Sequence, residues 1–529
     1  MPAPETDKPA AKCPVLMHGG SPCERDACDA QGFCVCHSER PDKDVEAFAR
    51  QIETMLSQNK CDFTRFVFPD SADFVHRDFE APVWLADATF WGPVTFEGAQ
   101  FRAQAEFRGA TFQREANFVG VSFQTPVDFH HARFHGETSF RDATFVREAV
   151  FKQAAFQGRA VFSSAQFRRE AQFQTAVFRD ADFSRATFQG DAAFDSATFE
   201  GAADFSETAF HCAARFLSAT FQSRGDFDEA TFQSQAFFHL ATFEGQADFM
   251  GATFTGIAVF RVAMFRGTVH FSDAQFHGEA HFVGSDANGV FSREPELEAD
   301  FSSAHFDQPE KVVFQRVFLG QARFVGADVR RLDFTDVKWA TRPLTRTRCA
   351  VWDELAPEVE DEPKDYALIG KLYRQLKHNY EEQRDHITAG DFHFGEMHMR
   401  RLSNPWKNGF WRFLKRNLSF LAFYRWISGY GEDYILAGLW IIGVIVAFSL
   451  AFAYIATFAL QPSPASAASL PMQNFWSRFW YSLMCFLLRG DRPLQPMHPA
   501  GHYLSVAEGV IGPPLIALFI LALNRRFKR

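Results

Sequence analysis

Residues 186–205 read ATFQGDAAFDSATFEGAADF, and this stretch decides the fold. Phe recurs in it at steps of six, five and six residues, Ala lies two places before each Phe, and most other positions are polar. The same lattice runs from Phe63 to Phe282, where 40 of 41 positions are Phe and one is Leu85. Helices need apolar spacings of three and four, and strands need alternation. This period instead predicts a chain that turns a corner at every repeat, with Phe and Ala inside.

Composition limits the class of protein. The chain has 529 residues, enough for two to four domains, and 65 Phe against only 9 Tyr, which indicates a repeat. With 47% hydrophobic and 22% charged residues, disorder of the whole chain is excluded. A formal charge of −10 argues against a general nucleic-acid-binding polycation, and nucleic acid is not a favoured partner.

The small–polar–Phe unit resembles the pentapeptide-repeat family. That resemblance implies a mainly β fold, a right-handed quadrilateral β-helix with four repeats per coil. The sixth residue in alternate repeats predicts an extra residue at two opposite corners, or about 22 residues per coil. The lattice slips once, at Phe173, Phe178, Phe183 and Phe188, where three steps of five follow one another.

The chain divides into four predicted parts. The first holds a cysteine-rich segment and an amphipathic helix over 42–56, which we expect to cap the β-helix. The third part, a helical linker, contains a helix over 363–390 and an interfacial amphipathic helix. In order, the four parts are the capping segment 1–60, the β-helix 61–340, the helical linker 341–432 and the two-span membrane module 433–529.

Five of the nine cysteines lie within the first 36 residues. A segment this short cannot build its own core, and thiolates with one imidazole are ligands that Zn²⁺ binds tetrahedrally. The expected ligands of a structural zinc ion are Cys23, Cys28, Cys34 and His37. Cys13 and Cys36 are further candidates. The alternative is a disordered tail whose thiols have no common role.

Two apolar runs near the C-terminus, Tyr434–Leu460 and Leu504–Leu523, are long enough to cross about 30 Å of hydrocarbon. Basic residues gather before the first run and after the second. The positive-inside rule therefore predicts that both termini and the β-helix lie in the cytoplasm. We expect a multi-pass protein of the bacterial inner membrane. Ahead of the first run, cations are mixed with Trp and Phe, as in helices that lie in the membrane interface. These cations are Arg412, Lys415, Arg416 and Arg425.

A short apolar stretch, Phe475–Leu488, separates the two runs. The order of span, short helix and span resembles the two-helix pore module of potassium-channel-like proteins. The resemblance implies pore-like positions for Ser482, Arg489, Gly490, Asp491, Glu508 and Gly512. The loop lacks the threonines of a potassium filter, and a ring of arginines at Arg489 would repel cations. Anion passage, a non-selective pore and no conduction all remain open, as does a simple hairpin anchor.

No nucleotide-binding loop, dinucleotide fingerprint, serine-hydrolase arrangement or HExxH motif occurs, so we expect no enzyme. The predicted function is a rod that senses or docks an unknown protein partner and acts on an ion-channel-like module in the lipid bilayer. A pore would require a homo-oligomer. The alternative is a membrane-tethered interaction scaffold without conduction. Family members that imitate DNA and bind topoisomerase need acidic stripes, which arginines interrupt here.

Overall fold

The chain forms two compact units, a β-solenoid and a helical unit. The first consists of residues 1–340 with 351–353, and the second of residues 341–350 with 354–529. The computed structural model describes residues 11–40, 42–285, 298–342, 348–357, 364–403, 417–455, 460–462, 474–487, 494–496 and 499–527.

Strands of two residues build most of the solenoid, four to a coil. Each strand pairs in parallel with the equivalent strand of the next coil, so that Cys61 lies opposite Val83, 22 residues on. The first coil contains Cys61–Asp62, Val67–Phe68, Ala72–Asp73 and Asp78–Phe79. One stack of 13 strands follows a single face: Cys61–Asp62, Val83–Trp84, Ala105–Glu106, Val127–Asp128, Ala149–Val150, Ala171–Gln172, Ala192–Ala193, Ala214–Arg215, Ala236–Phe237, Ala258–Val259, Ala280–Val283, Val312–Gln315 and Asp333–Thr335.

The lattice phenylalanines fill the interior, as the repeat predicts. Most rings stack on the ring one coil further on: the Phe90 and Phe112 centroids are 5.0 Å apart with planes 2° from parallel. Rings of neighbouring columns meet edge to face, as Phe151 and Phe162 do at 5.4 Å and 87°. Because all these rings are buried and each is worth about 2 kcal/mol of burial, the column stabilises the solenoid along its whole length.

The corners explain the alternation of five and six. In a five-residue step the chain makes a β-turn, for example where Ala99 N donates to Phe96 O at 2.9 Å. The third residue of this turn is left-handed (Gly98, φ 64°), a conformation that suits Gly, Asn and Asp best. The six-residue steps carry the extra residue. At the slip one such residue is missing, pairing falls to 21 residues, and Val177–Asp182 runs through the corner as one strand.

The helix predicted over 42–56 is confirmed as α1, Val45–Ser57. It begins where the Asp44 carboxylate accepts a hydrogen bond from Ala47 N at 2.9 Å. Its apolar face packs on the first coil, with the Phe48 ring 5.2 Å from Phe68. The helix thus covers one end of the solenoid. Residues 286–297 lie outside the described part of the chain, and the strands resume at Ala299–Asp300.

Asp353 hydrogen-bonds two backbone amides near the other end of the solenoid. Its buried carboxylate accepts from Phe324 N at 3.1 Å and from Val325 N at 3.0 Å. We expect Asp353→Ala to leave both amides without an acceptor, at a cost of about 1–3 kcal/mol. Hydrogen exchange should then become faster at these two amides and stay unchanged at Ala192 in mid-solenoid. Unchanged exchange at both amides would contradict the assigned role.

The helical unit contains two paired helices followed by the apolar helices. The longer helices among its described residues are α2 (Tyr366–Glu382), α3 (His386–Leu402), α4 (Phe420–Ser428), α5 (Tyr434–Ile455), α6 (Phe475–Phe486) and α7 (Pro499–Phe527). A short antiparallel pair joins Leu460–Pro462 to Leu494–Pro496.

The prediction of a single helix over 363–390 is wrong, because the chain forms two helices there, α2 followed by α3. The break lies at Arg384, whose φ of 63° is left-handed. Asp385 then starts α3 by accepting from Ile387 N and Thr388 N, each at 3.1 Å. Gly390, expected at a helix end, lies inside α3.

Candidate metal centre

Four buried side chains near the N-terminus, Cys13, Cys23, Cys34 and His37, place one ligand atom each within 4.8 Å of all the others. Cys34 Sγ is 3.1 Å and Cys13 Sγ 3.3 Å from His37 Nδ1. Cys23 Sγ and Cys34 Sγ are 3.9 Å apart. Ligands bound tetrahedrally at zinc distances lie about 3.3–3.8 Å from one another. The group therefore has the size and composition of a zinc site.

A β-hairpin positions two of the thiols. Cys13 N donates to Arg25 O and Cys23 N donates to Val15 O, both at 2.9 Å. The 3-10 turn His18–Gly20 reverses the chain between them. Because Cys13 and Cys23 lie on facing arms of the hairpin, their side chains can point to the same side.

A tight turn positions the other two ligands. His37 N and Ser38 N both donate to Cys34 O, at 3.0 and 2.9 Å. The His37 ring then meets Phe66 edge to face at 5.0 Å, and its Nε2 lies 3.2 Å from Thr64 O. A carbonyl can only accept, so this contact requires a proton on Nε2 and leaves the Nδ1 lone pair facing the thiols. Metal-binding histidines are commonly oriented in this way.

The surroundings raise the pKa of two thiols of the group. Burial raises the pKa of the Cys13 thiol to about 11. The pKa of Cys34 is raised as well, first by its hydrogen bond with Cys36 and then by burial. A metal would have to displace these protons, so its affinity should increase with pH. With four protein ligands, a tetrahedral zinc ion would have no position left for water or substrate. That arrangement is typical of structural zinc sites and not of catalytic ones.

The structure changes one of the expected ligands. Cys23, Cys34 and His37 come together as predicted, but Cys28 is exposed and lies outside the group. Cys13, named only as a further candidate, takes its place because the hairpin folds it opposite Cys23. Cys36 is buried but does not belong to the group.

The same segment binds the edge of the first coil. Val67 N donates to Cys36 O at 2.8 Å. The Val67 carbonyl accepts from Lys43 Nζ, which also donates to Ser38 O at 3.1 Å. With the Thr64 contact of His37, these bonds satisfy backbone groups that an open edge would expose to pairing with another chain.

Comparison with known proteins identifies the solenoid. A model of the family described as "Pentapeptide repeats (9 copies)" matches residues 97–144, 107–154, 118–166, 151–198, 194–242 and 238–286. Residues 97–286 are pentapeptide repeats. Neither a curated protein nor a solved structure gave a significant match to the chain. These findings do not support the pore-like resemblance of the C-terminal helices.

The candidate metal centre therefore caps a pentapeptide-repeat solenoid. The spacing of the cysteines along the chain did not identify Cys13 as a main ligand. The sequence does contain a feature that could have identified it, a hairpin turn. Gly19 and Gly20 mark a turn, and Lys12 and Asp26 then lie opposite each other, where they form an ion pair at 2.7 Å. Pairing the arms about that turn would have placed Cys13 near Cys23.

Beyond the pentapeptide repeats, three of the six pore-like residues lie together in the helical unit. Ser482 of α6 is 3.0 Å from Ile445 O of α5 and hydrogen-bonds Glu508 of α7. Both side chains are fully buried. A Cβ at Gly512 would lie 2.3 Å from Phe486 O, so only glycine allows α7 to approach α6 this closely. The other three, Arg489, Gly490 and Asp491, lie outside the described residues.

Proposed function

We propose that the chain is a non-enzymatic bacterial integral membrane protein. Helices α5 and α7 cross the inner membrane, and the pentapeptide-repeat solenoid acts in the cytoplasm as a rod that docks or senses a protein partner. A zinc ion bound by Cys13, Cys23, Cys34 and His37 stabilises the capped end of that rod.

The apolar surface of α5 and α7 carries this proposal. Both helices are long and apolar enough to cross a membrane. The described part of the chain leaves most of the most apolar window of each helix uncovered: 22% of that window is buried in α5 and 28% in α7. In a water-soluble protein such faces would be buried against other elements. The exposed large apolar side chains include Ile435, Leu439, Trp440, Ile442 and Leu450 on α5, and Tyr503, Val506, Val510, Ile511, Ile520, Leu521 and Leu523 on α7.

Helix α4 supports the same proposal. Its Phe420 is 84% exposed, and Phe423 and Trp426 are more than half exposed on the same side. Trp440 Nε1 donates to Trp426 O at 2.7 Å, which holds the end of α4 beside the start of α5. A short helix with exposed aromatic side chains next to a span is typical of the membrane interface.

The outer surface of the solenoid supports a docking role more than a DNA-mimicking one. Asp182, Asp204, Asp226 and Asp248 align on successive coils. Two arginines offset part of the charge of this column: Arg159 contacts Asp182 at 2.8 Å, and Arg224 contacts Asp226 at 2.7 Å. A polar surface of mixed charge suits a protein partner better than it imitates the uniform negative charge of DNA.

Extraction of membranes from cells that express the full chain tests insertion. The protein should resist alkaline carbonate and dissolve only in detergent. Ile442→Lys combined with Val510→Lys should release part of it, because each lysine near the bilayer centre costs about 2.5–3.5 kcal/mol. Leu217→Lys, at an exposed solenoid position, is the matched control. Release of the wild-type protein by carbonate would refute insertion.

The exposed thiol of Cys28 tests the side of the membrane on which the rod lies. A membrane-impermeant maleimide should leave Cys28 unlabelled in intact spheroplasts and label it after lysis. A Cys28→Ser variant identifies the signal. Labelling before lysis would place the N-terminal segment outside the cytoplasm and contradict the proposed topology.

A pore is the second candidate, and the contact of α6 with both spans favours it. Ser482 joins α6 to α5 and α7 within one chain, and a short helix held between two spans is the arrangement of a pore module. The test is reconstitution in planar bilayers with native mass spectrometry of the purified protein. An oligomer with ionic current would support a pore. A monomer or dimer without current would leave the tethered scaffold.

A further inference from the structure

A tight turn connects α4 to α5. Gly431 N and Asp433 N both donate to Ser428 O, at 2.9 and 3.0 Å. Gly429, Tyr430 and Gly431 have left-handed φ values of 54°, 61° and 80°. Helix α5 begins directly afterwards at Tyr434. The packing of this turn therefore fixes where the first apolar helix starts.

The turn is linked to the end of the last helix by an ion pair of unequal burial. Glu432 Oε1 lies 3.1 Å from Arg525 Nη1 of α7, and the same nitrogen lies 3.4 Å from Tyr430 O. The Glu432 side chain is 8% exposed, whereas that of Arg525 is 38% exposed. Arg525 therefore keeps much of its hydration, while an ionised Glu432 loses nearly all of its own.

The other groups around Glu432 do not fully replace the hydration that its ionised carboxylate loses. Helix α3 approaches so closely that a Cβ at Gly390 would lie 2.7 Å from Glu432 Oε2. Arg348 is shared with Asp433, at 3.5 Å. Asp391 repels a carboxylate and accepts from Cys349 N at 3.0 Å. The titratable and charged groups around the site are Arg348, Asp391, His393, Tyr424, Asp433, Arg525 and Arg526.

We propose that Glu432 is a proton-binding site that makes the α4–α5 turn sensitive to pH: neutral Glu432 keeps the turn packed against α3 and α7, and ionised Glu432 loosens it. The step is the reversible loss of one proton from the carboxyl group to solvent. It involves groups outside the apolar runs and does not depend on insertion of α5 and α7.

The direction of the effect follows from linkage. Burial raises the pKa of Glu432 to about 7, and Arg525 opposes this rise only in part. An exposed glutamate has a pKa near 4.5, so the packed form binds the proton more tightly than the open form. The packed turn is therefore most stable below pH 4.5, and its stability falls as the pH rises through 7.

Hydrogen exchange of the full chain in detergent tests the proposal at Gly431, Glu432 and Asp433. After correction for intrinsic exchange rates, we expect opening to be roughly thirtyfold more frequent at pH 8 than at pH 5.5, the change that follows from a pKa of about 7 in the packed form and 4.5 in the open form. Glu432→Gln should abolish this difference and protect the turn at pH 8 as well as the wild type is protected at pH 5.5. A pure salt-bridge role predicts the opposite, less protection in Glu432→Gln at every pH.

Two further variants complete the test. Glu396→Gln is the matched control, because Glu396 is also a partly buried carboxylate of the helical unit but pairs with Arg374 at 2.9 Å. It should keep the wild-type pH response. Arg525→Gln removes the compensating cation and should move the response to higher pH. Equal protection of the wild-type turn at both pH values, or an unchanged response in Glu432→Gln, would overturn the proposal and leave membrane insertion unaffected.

Discussion

Replacement of Cys34 by Ser should abolish zinc binding and loosen the capped end of the solenoid. Cys34 Sγ contacts both His37 Nδ1 and Cys23 Sγ, so its loss removes a central ligand of the proposed site. Structural zinc sites contribute roughly 10–16 kcal/mol of apparent binding free energy at neutral pH. We expect about one zinc per chain in wild-type protein purified without chelator, and close to none in Cys34→Ser.

Cys28→Ser is the matched control for this prediction. Cys28 fits the ligand spacing equally well but is exposed and outside the group, so its replacement should leave the zinc content unchanged. Zinc loss should also speed hydrogen exchange at Val67, whose amide donates to Cys36 O, and not at Ala192. Equal zinc loss in both variants would instead support the ligands expected from spacing, Cys23, Cys28, Cys34 and His37. Absence of metal from the wild type would refute the site.

Replacement of Phe194 by Ala should strongly destabilise the middle of the solenoid. The buried ring stacks on Phe173 at 4.8 Å and on Phe216 at 5.0 Å, and it meets Phe205 edge to face at 5.3 Å. Phe→Ala in a packed core costs about 3–5 kcal/mol. Since each coil contacts only its neighbours, the loss should be concentrated in the coils around residue 194.

Phe194→Leu provides the control, because the chain itself places Leu85 on the same lattice in a buried position. A smaller, apolar side chain that keeps most of the volume should cost much less, about 1–1.5 kcal/mol. Denaturant-dependent hydrogen exchange of peptides from residues 183–205 measures both effects locally. If Ala and Leu were equally tolerated, the Phe column would not be the source of stability assigned to it.

The helical unit shows why local sequence patterns were insufficient there. The stretch over 363–390 has apolar residues at helical spacing as far as Tyr380, and the break at Arg384 is decided by Asp385, whose carboxylate caps the second helix. Glu432 and Arg525 are 93 residues apart in the sequence and form no motif. Their unequal burial arises only when α3, the α4–α5 turn and the end of α7 pack together.

The repeat by itself determined the solenoid, its coil of 22 residues and the inward direction of its phenylalanines. A solenoid coil contacts only the coils beside it, so a local period is enough to specify its structure. The ligands of the candidate metal centre were decided by tertiary structure. Spacing along the chain favoured Cys28, whereas the hairpin and the first coil bring Cys13 to His37. Which side chains share a buried site depends on how distant backbone segments pack, and spacing within one segment does not record that.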